Sequence, residues 1–520
     1  MNRAKPLVAY ATALLLAAMP LGCGTPVVKS KAFDGEVLRE HLLPGALVEP
    51  IGGGEWEIGP DVGWMAGIDA SAHLTFVGFR PRPGELRFCL VLACDPAKDA
   101  LVLLPLRKGE NPLSVLSRPE RRKALRQEAT AYSSGGGSKR SDILRLSLRG
   151  AIADGCLGSP LPKPQYIFAV AANFRSHLVH DLAVDDGKDI AAFGRTRARV
   201  FLKYPPVPPP GAPQDVPKAL SGIIGPYDGI EYPATIALPP NEEGAPATET
   251  ETRLDYEVEI GAVIGRRLTW QDAQHAPDSA LRSAVAGYVL VSDTKARNPQ
   301  VVDKVADQNR PYPEAPSPYL TGQESVDRAF GFWDEETCRW WSYAAGWGNY
   351  ASIGPFFVAA PADVAFPARA MISARSYGPA ATRGAPIPRG HAEGVFYLRQ
   401  CAEATEDPAD PRRTIWTVPQ IIRAILAPDN ALKPTEEPAR LEPGDILCLG
   451  TPGGTVITSK PQRVLDLAGK LLFWWKPTDW HDAFFDKDTA LYLRHGDEVF
   501  LWAEGLGYQR QPIRRIQAGR

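Results

Sequence analysis

RLDYEVEIGAVIG, residues 253–265, sets Asp255, Glu257 and Glu259 at alternate positions, with Tyr256, Val258 and Ile260 between them and an apolar run behind. Successive strand side chains point to opposite faces, so the stretch reads as a strand carrying three carboxylates on one face, about 7 Å apart. Ionised groups at that spacing repel one another unless water, cationic side chains or a metal neutralises them. A solvated strand face would account for such a triplet taken alone. A further acid changes that reading. GYVLVSDTKARNPQ (287–300) is an apolar strand ending in Asp293, with Arg297 and Gln300 just beyond. A buried strand thus brings a carboxylate and a guanidinium to one edge, and an all-oxygen ligand set suits Mg²⁺, Mn²⁺ or Ca²⁺ better than zinc.

The surrounding chain reads as β-rich α+β. AHLTFVGF (72–79), LRFCLVLAC (86–94) and ALVLLPL (100–106) are short apolar runs that read as strands, and PERRKALRQEATAY (119–132) reads as a helix. Helical periodicity recurs only in places such as TVPQIIRAILA (417–427) and APDSALRSAVAG (276–287). The expected division is a small amino-terminal domain over 35–155 and a larger β-dominated domain over 160–515. Residues 301–345, proline-bearing and aromatic (Phe330, Phe332, Trp333, Trp340, Trp341), read as an insertion forming a lid, a partner surface or a plain surface excursion.

Hydrophobic residues make up 44% of the 520 residues and charged residues 23%, which predicts a packed core. A formal net charge of -2 argues against nucleic acid as a partner. The amino terminus, MNRAKPLVAYATALLLAAMPLGCGTP, has Arg3 and Lys5 ahead of an apolar run from Leu7 to Met19, the parts of a signal peptide over 1–22. PLGC resembles a bacterial lipobox, with Pro20 in place of the usual leucine. The expectation is export, with Cys23 lipidated in the cell envelope on the periplasmic side and a tether over 23–34, or else a cleaved, soluble secreted form. Cys89, Cys94, Cys156, Cys338, Cys401 and Cys448 have no metal-ligand spacing, although Cys89 and Cys94 are close enough in sequence to pair.

DYEVEIGAVIG, GYVLVSDTKARNPQ, IGPFFV (353–358), LEPGDILCLGTPGG (441–454) and GDEVFLWAEGLG (496–507) resemble, in order and spacing, the fumarylacetoacetate hydrolase family. YIFAVAANFRSHLVHD (166–181) is similar to its G-x-N-Y-x-x-H segment. The resemblance implies a mixed β-sandwich roll of the fumarylacetoacetase type, a homodimer, and a divalent ion, Mg²⁺ first, held by Glu257, Glu259 and Asp293. Asp255 becomes a supporting acid. His177 matches the histidine that activates water, with Asp181 standing in for an orienting acid because the usual position holds His180. Asn173, Arg297, Gln300 and Thr451 match groups that bind the small oxo-acid substrate. Ala345 stands where the family carries an active-site lysine, so the cation must come from elsewhere; Lys295, Lys304 and Arg339 are candidates. The implied activity is hydrolysis of a carbon–carbon bond in a dioxo acid such as an acylpyruvate. The alternatives are decarboxylation or tautomerisation of an oxaloacetate-like acid at the same metal, and a non-catalytic envelope binding protein.

Overall fold

The computed structural model describes residues 48–51, 55–58, 65, 70, 72–135, 141–175, 177–178, 190, 193–194, 196–205, 223–238, 247–249, 253–300, 335–347, 349–360, 370–378, 395–404, 414–428, 440–452, 455 and 492–516. Cys23, Lys304, His180, Asp181, the leader, the tether and residues 301–334 lie outside them.

Two mixed sheets form the fold. The larger contains β1 (Thr75–Arg82), β2 (Glu85–Asp95), β3 (Ala100–Pro105), β4 (Leu144–Ser147), β5 (Leu157–Gly158), β6 (Ile167–Val170) and β7 (Val200–Tyr204). The second sheet begins with β8 (Ile230–Tyr232), and a two-residue strand, β9 (Leu254–Asp255), follows it in the chain. Next come β10 (Val258–Ile264) and β11 (Val285–Asp293) of the larger sheet, β12 (Lys295–Ala296), and β13 (Ala351–Ala359), again of the larger sheet. β14 (Ala370–Gly378), β15 (Val395–Ala404), β17 (Glu498–Ala503) and β18 (Gly507–Arg515) complete the second sheet, while β16 (Ile446–Cys448) belongs to the first. The larger sheet runs β4-β3-β2-β1-β13-β11-β10-β16-β6-β7, with β5 beside β1; the smaller runs β8-β18-β17-β14-β15. Only β16–β6 and β8–β18 are parallel among these pairs.

The central strands are buried on both faces, which explains their near-continuous apolar sequence. Every residue of β10 and β13 is buried, and the second sheet packs over β10, β11 and β13. Polar side chains also link the two sheets through this interior. Gln509 of β18 donates from Nε2 to Leu290 O at 3.0 Å and to Gly354 O at 2.9 Å, tying one sheet to the other.

The boundary expected near residue 155 does not interrupt the larger sheet. β1 pairs antiparallel with β13, placing Phe76 opposite Phe357 with ring centroids 6.1 Å apart. The first strands therefore extend the main sheet. Helix α1 (Pro119–Ser133) covers β2 through Leu125 and Ala129, and Cys89 and Cys94 are both free thiols. Of the insertion, 335–346 form helix α2 (Glu335–Gly346). It lies against β7, where Trp341 meets Phe201 at 5.6 Å and Trp340 is 2% exposed. Trp340 is therefore a core residue, while Trp341 is partly buried against the same strand. Helix α3 (Val418–Leu426) falls where its sequence predicts. No helix among the described residues is long and apolar enough to cross a membrane.

Candidate metal centre

The three alternating acids do not share one face. Asp255 ends β9, which pairs with β12 so that Asp255 lies opposite Lys295; the chain then leaves that ribbon and enters β10 at Val258. Asp293 N donates to Glu257 O at 2.9 Å, which fixes the end of β11 beside the entry to β10. Carboxylate oxygens of Glu257, Glu259 and Asp293 consequently lie within 4.8 Å of one another, all three residues buried. Asp255 is drawn aside into an ion pair.

Three buried cations answer these charges. Lys203 on β7 places Nζ 2.7 Å from Asp293 Oδ1, both side chains being fully buried. Lys295 Nζ lies 2.6 Å from Asp293 Oδ2 and 2.8 Å from Glu257 Oε2. Arg297 donates to Asp255 Oδ2 from Nε at 2.9 Å and from Nη2 at 2.7 Å, and Nη2 also contacts Glu257. Burial works against the charge of Asp293, but Lys203 and Lys295 outweigh it and hold this carboxyl well below the usual range. Glu259 behaves oppositely. Burial first, and then the charge of Asp293, push it well above the ordinary carboxylate value, opposed by Lys295 and by the hydrogen bond from Gly450. Lys295 is raised despite burial, because Asp293 and Glu257 favour its charge; Arg297 is raised in the same way by Glu257 and Asp255.

The turn after β16 completes the cluster. Gly450 N donates to Glu259 Oε2 at 2.7 Å from a backbone with φ +93°, a conformation open to glycine. A Cβ there would fall 2.6 Å from Asn173 Cβ, so glycine is also required by space. Asn173 was expected to bind substrate, but its amide is committed to the protein. Nδ2 donates to Leu449 O (2.7 Å) and Trp416 O (3.2 Å), and Oδ1 accepts from Trp416 N (2.6 Å). With both hydrogens and the carbonyl used, Asn173 positions the Gly450 turn. Thr451 is buried beside that turn. His177, also buried, lies four residues beyond Asn173, in a turn where Leu178 N donates to Phe174 O at 3.1 Å.

Arg297 and Gln300 are adjacent, as their spacing implies, with Nη1 donating to Gln300 Oε1 at 2.9 Å. The guanidinium faces protein carboxylates and is therefore not an open clamp for a substrate carboxylate. Gln300 Nε2, in contrast, has no acceptor among the described residues. Of the candidates for the cation absent at Ala345, Lys295 enters the cluster and Arg339 is exposed. The cation that sequence reasoning missed is Lys203, whose Nζ donates to Thr294 O at 3.0 Å and to Ala345 O at 3.2 Å. Its signal was present: VFLKY (200–204) is an apolar strand, buried throughout, with one lysine in it.

These residues fit a hard divalent cation. The donors are all carboxylate oxygens, and neither oxygen of Asp293 has an aligned hydrogen-bond donor although two ammonium nitrogens approach it. Glu257, Glu259 and Asp293 would hold such an ion.

The model of the fumarylacetoacetate (FAA) hydrolase C-terminal family matches residues 167–312 and 317–514. A curated relative, 2,4-didehydro-3-deoxy-L-rhamnonate hydrolase of Sphingomonas sp. (strain SKA58), is 24% identical over 307 residues, which cover 59% of this chain and 67% of the relative. Among solved structures, a probable 2-hydroxyhepta-2,4-diene-1,7-dioate isomerase from Mycobacterium abscessus aligns at 19% identity with a TM-score of 0.41, covering 86% of this chain and 99% of that one. Maleylpyruvate hydrolase from Sphingobium sp. SYK-6, in complex with manganese (II) ion and pyruvate, aligns at 15% identity with a TM-score of 0.38, covering 85% and 100%.

Proposed function

The chain belongs to the fumarylacetoacetate hydrolase family, and from that premise we propose that it is a divalent-metal-dependent hydrolase cleaving a carbon–carbon bond in a small dioxo acid. The observation that carries the proposal is the convergence of buried Glu257, Glu259 and Asp293 within 4.8 Å. The curated relative supports it, being a hydrolase of 2,4-didehydro-3-deoxy-L-rhamnonate. A bound ion, Mg²⁺ or Mn²⁺, supplies Lewis-acid polarisation of substrate oxygens. His177 takes a proton from the attacking water as the water oxygen bonds the acyl carbonyl carbon. The carbon–carbon bond to that carbon then breaks, its electron pair leaves on the pyruvate fragment as an enolate, and the proton held by His177 returns to the enolate carbon to give pyruvate and a carboxylic acid. Gln300 Nε2 offers a free donor to the oxo acid, and Thr451 stands at the turn that carries the Glu259 donor. Lys203, held on two carbonyls, fixes Asp293.

The test is turnover of an acylpyruvate panel by protein stripped of metal and reloaded with Mg²⁺ or Mn²⁺. Ion-dependent release of pyruvate, lost in Glu259→Gln and His177→Ala, is expected; turnover indifferent to the ion or to Glu259 would refute the proposal. We extend it to an exported homodimer lipidated at Cys23, checked by mass spectrometry of the mature amino-terminal peptide and by light scattering.

A further inference from the structure

We propose that Lys295 is an intramolecular competitor for the metal position, so that a divalent ion binds only as the Lys295 ammonium withdraws from Glu257 and Asp293. The inference rests on the reading of the acidic triad as a metal centre and adds what sets its affinity.

The geometry is specific to this one side chain. Lys203 reaches a single ligand, Asp293, and its remaining hydrogens go to the carbonyls of Thr294 and Ala345. Arg297 approaches Glu257 from the side of Asp255, which takes two of its bonds. Among the described residues Lys295 alone bridges two of the three ligands, at 2.8 Å from Glu257 Oε2 and 2.6 Å from Asp293 Oδ2. A nitrogen within hydrogen-bond distance of oxygens on two different ligands stands where an ion bound to both would stand. Two positive centres cannot share those oxygens in a buried site without strong repulsion.

Departure is also provided for. The ammonium lies 5.0 Å from the centroid of the Phe201 ring, an aromatic face that receives a cation at low desolvation cost. Phe201 and Lys203 alternate on β7 and so present to the same side. The lysine is anchored on β12 opposite Asp255, which leaves its long side chain free to pivot while its backbone stays paired.

The experiment is Mn²⁺ titration, by calorimetry and by the electron paramagnetic resonance of free Mn²⁺, of the full-length wild type, Lys295→Met and Lys295→Gln. Methionine keeps the length of the side chain without charge, and glutamine retains a hydrogen-bond donor, so a folding defect in one does not remove the test. Competition predicts that both variants bind Mn²⁺ more tightly than wild type, by about tenfold for each 1.4 kcal/mol that displacing the ammonium costs, so a gain of at least about tenfold is expected. It also predicts that ion-free Lys295→Met melts lower than wild type and gains more melting temperature from saturating Mn²⁺. Mn²⁺ affinity equal to or weaker than wild type in both variants overturns the competition while leaving the metal centre standing. Absence of Mn²⁺ binding in all three proteins overturns the metal reading itself and this inference with it.

Discussion

Lys203→Met tests whether the buried cations are structural necessities of the acid cluster. Lys203 and Asp293 are fully buried, and the ammonium lies 2.7 Å from Oδ1 with further bonds to Thr294 O and Ala345 O. Methionine fills similar volume, so the loss is electrostatic and not that of a cavity. Removing one partner of a buried ion pair leaves an uncompensated charge, which costs about 3–5 kcal/mol. Asp293 retains Lys295, which places the expected loss near the lower end, about 3 kcal/mol. Urea unfolding measures it directly, with Arg510→Ala as the control. Arg510 pairs with Glu498 at 2.9 Å, but its side chain is 49% exposed, and such pairs contribute less than about 1 kcal/mol. A divalent ion at about 100 times its Kd should return about 2.7 kcal/mol to Lys203→Met by binding the native state. A loss no larger than that of Arg510→Ala would refute the reasoning, because it would mean that Asp293 is neutral or solvated in the native protein.

Gly450→Ala should destabilise by about 2–3 kcal/mol, combining a residue forced to positive φ with a Cβ 2.6 Å from that of Asn173. It should also weaken Mn²⁺ binding, because the donor to Glu259 moves; unchanged Mn²⁺ affinity by calorimetry would sever the turn from the site. Asp445 supplies a pH signature away from the cluster: burial raises its carboxyl from 3.8 to about 6, although Tyr166 N and Glu442 N donate to it. The folded state therefore holds this proton more tightly than the unfolded chain. The contribution is fully present below about pH 4 and is lost as pH rises toward 6, by up to about 3 kcal/mol. Glu259, also raised, adds a fall of its own in both proteins, so unfolding free energies measured from pH 4 to 7 should fall more steeply in wild type than in Asp445→Asn, by up to that amount; equal slopes would refute the assignment.

What the sequence showed and what it hid follow from one limitation of strand periodicity, which gives faces but not neighbours. Glu259 and Asp293 were legible because each sits in an apolar run where a charge has no business unless it is paired or liganded. The break that separates Asp255 from Glu257 was not, because alternation in a continuous sequence looks the same whether or not the chain changes ribbons at Tyr256. Lys203 was hidden for a different reason. Its partner, Asp293, lies on another strand of the larger sheet, and no local pattern couples β7 to β11. The joining of the first strands to β13 is equally non-local, resting on Phe76 against Phe357. The resemblance names three acids whose carboxylate oxygens the fold brings within 4.8 Å of one another, while the cations around them had to come from the fold.

Ala345 illustrates how the two levels meet. Read by the resemblance, it stands where a lysine is expected. In the fold it is a fully buried position near the end of α2, where its carbonyl, one of those a helix leaves without an intrahelical partner, accepts from Lys203. A helix C-terminus carries partial negative charge, so this end of α2 stabilises the ammonium that neutralises Asp293. A lysine at 345 would add a third ammonium to a region where Lys203 Nζ already lies 3.2 Å from Ala345 O and the three ligand carboxylates are served by two ammoniums and a guanidinium. Its absence and the presence of Lys295 between Glu257 and Asp293 are therefore two parts of one charge arrangement. Among the described residues the ammoniums in direct contact with the ligand carboxylates come from strands, Lys203 of β7 and Lys295 of β12, and the helix contributes a carbonyl that holds one of them.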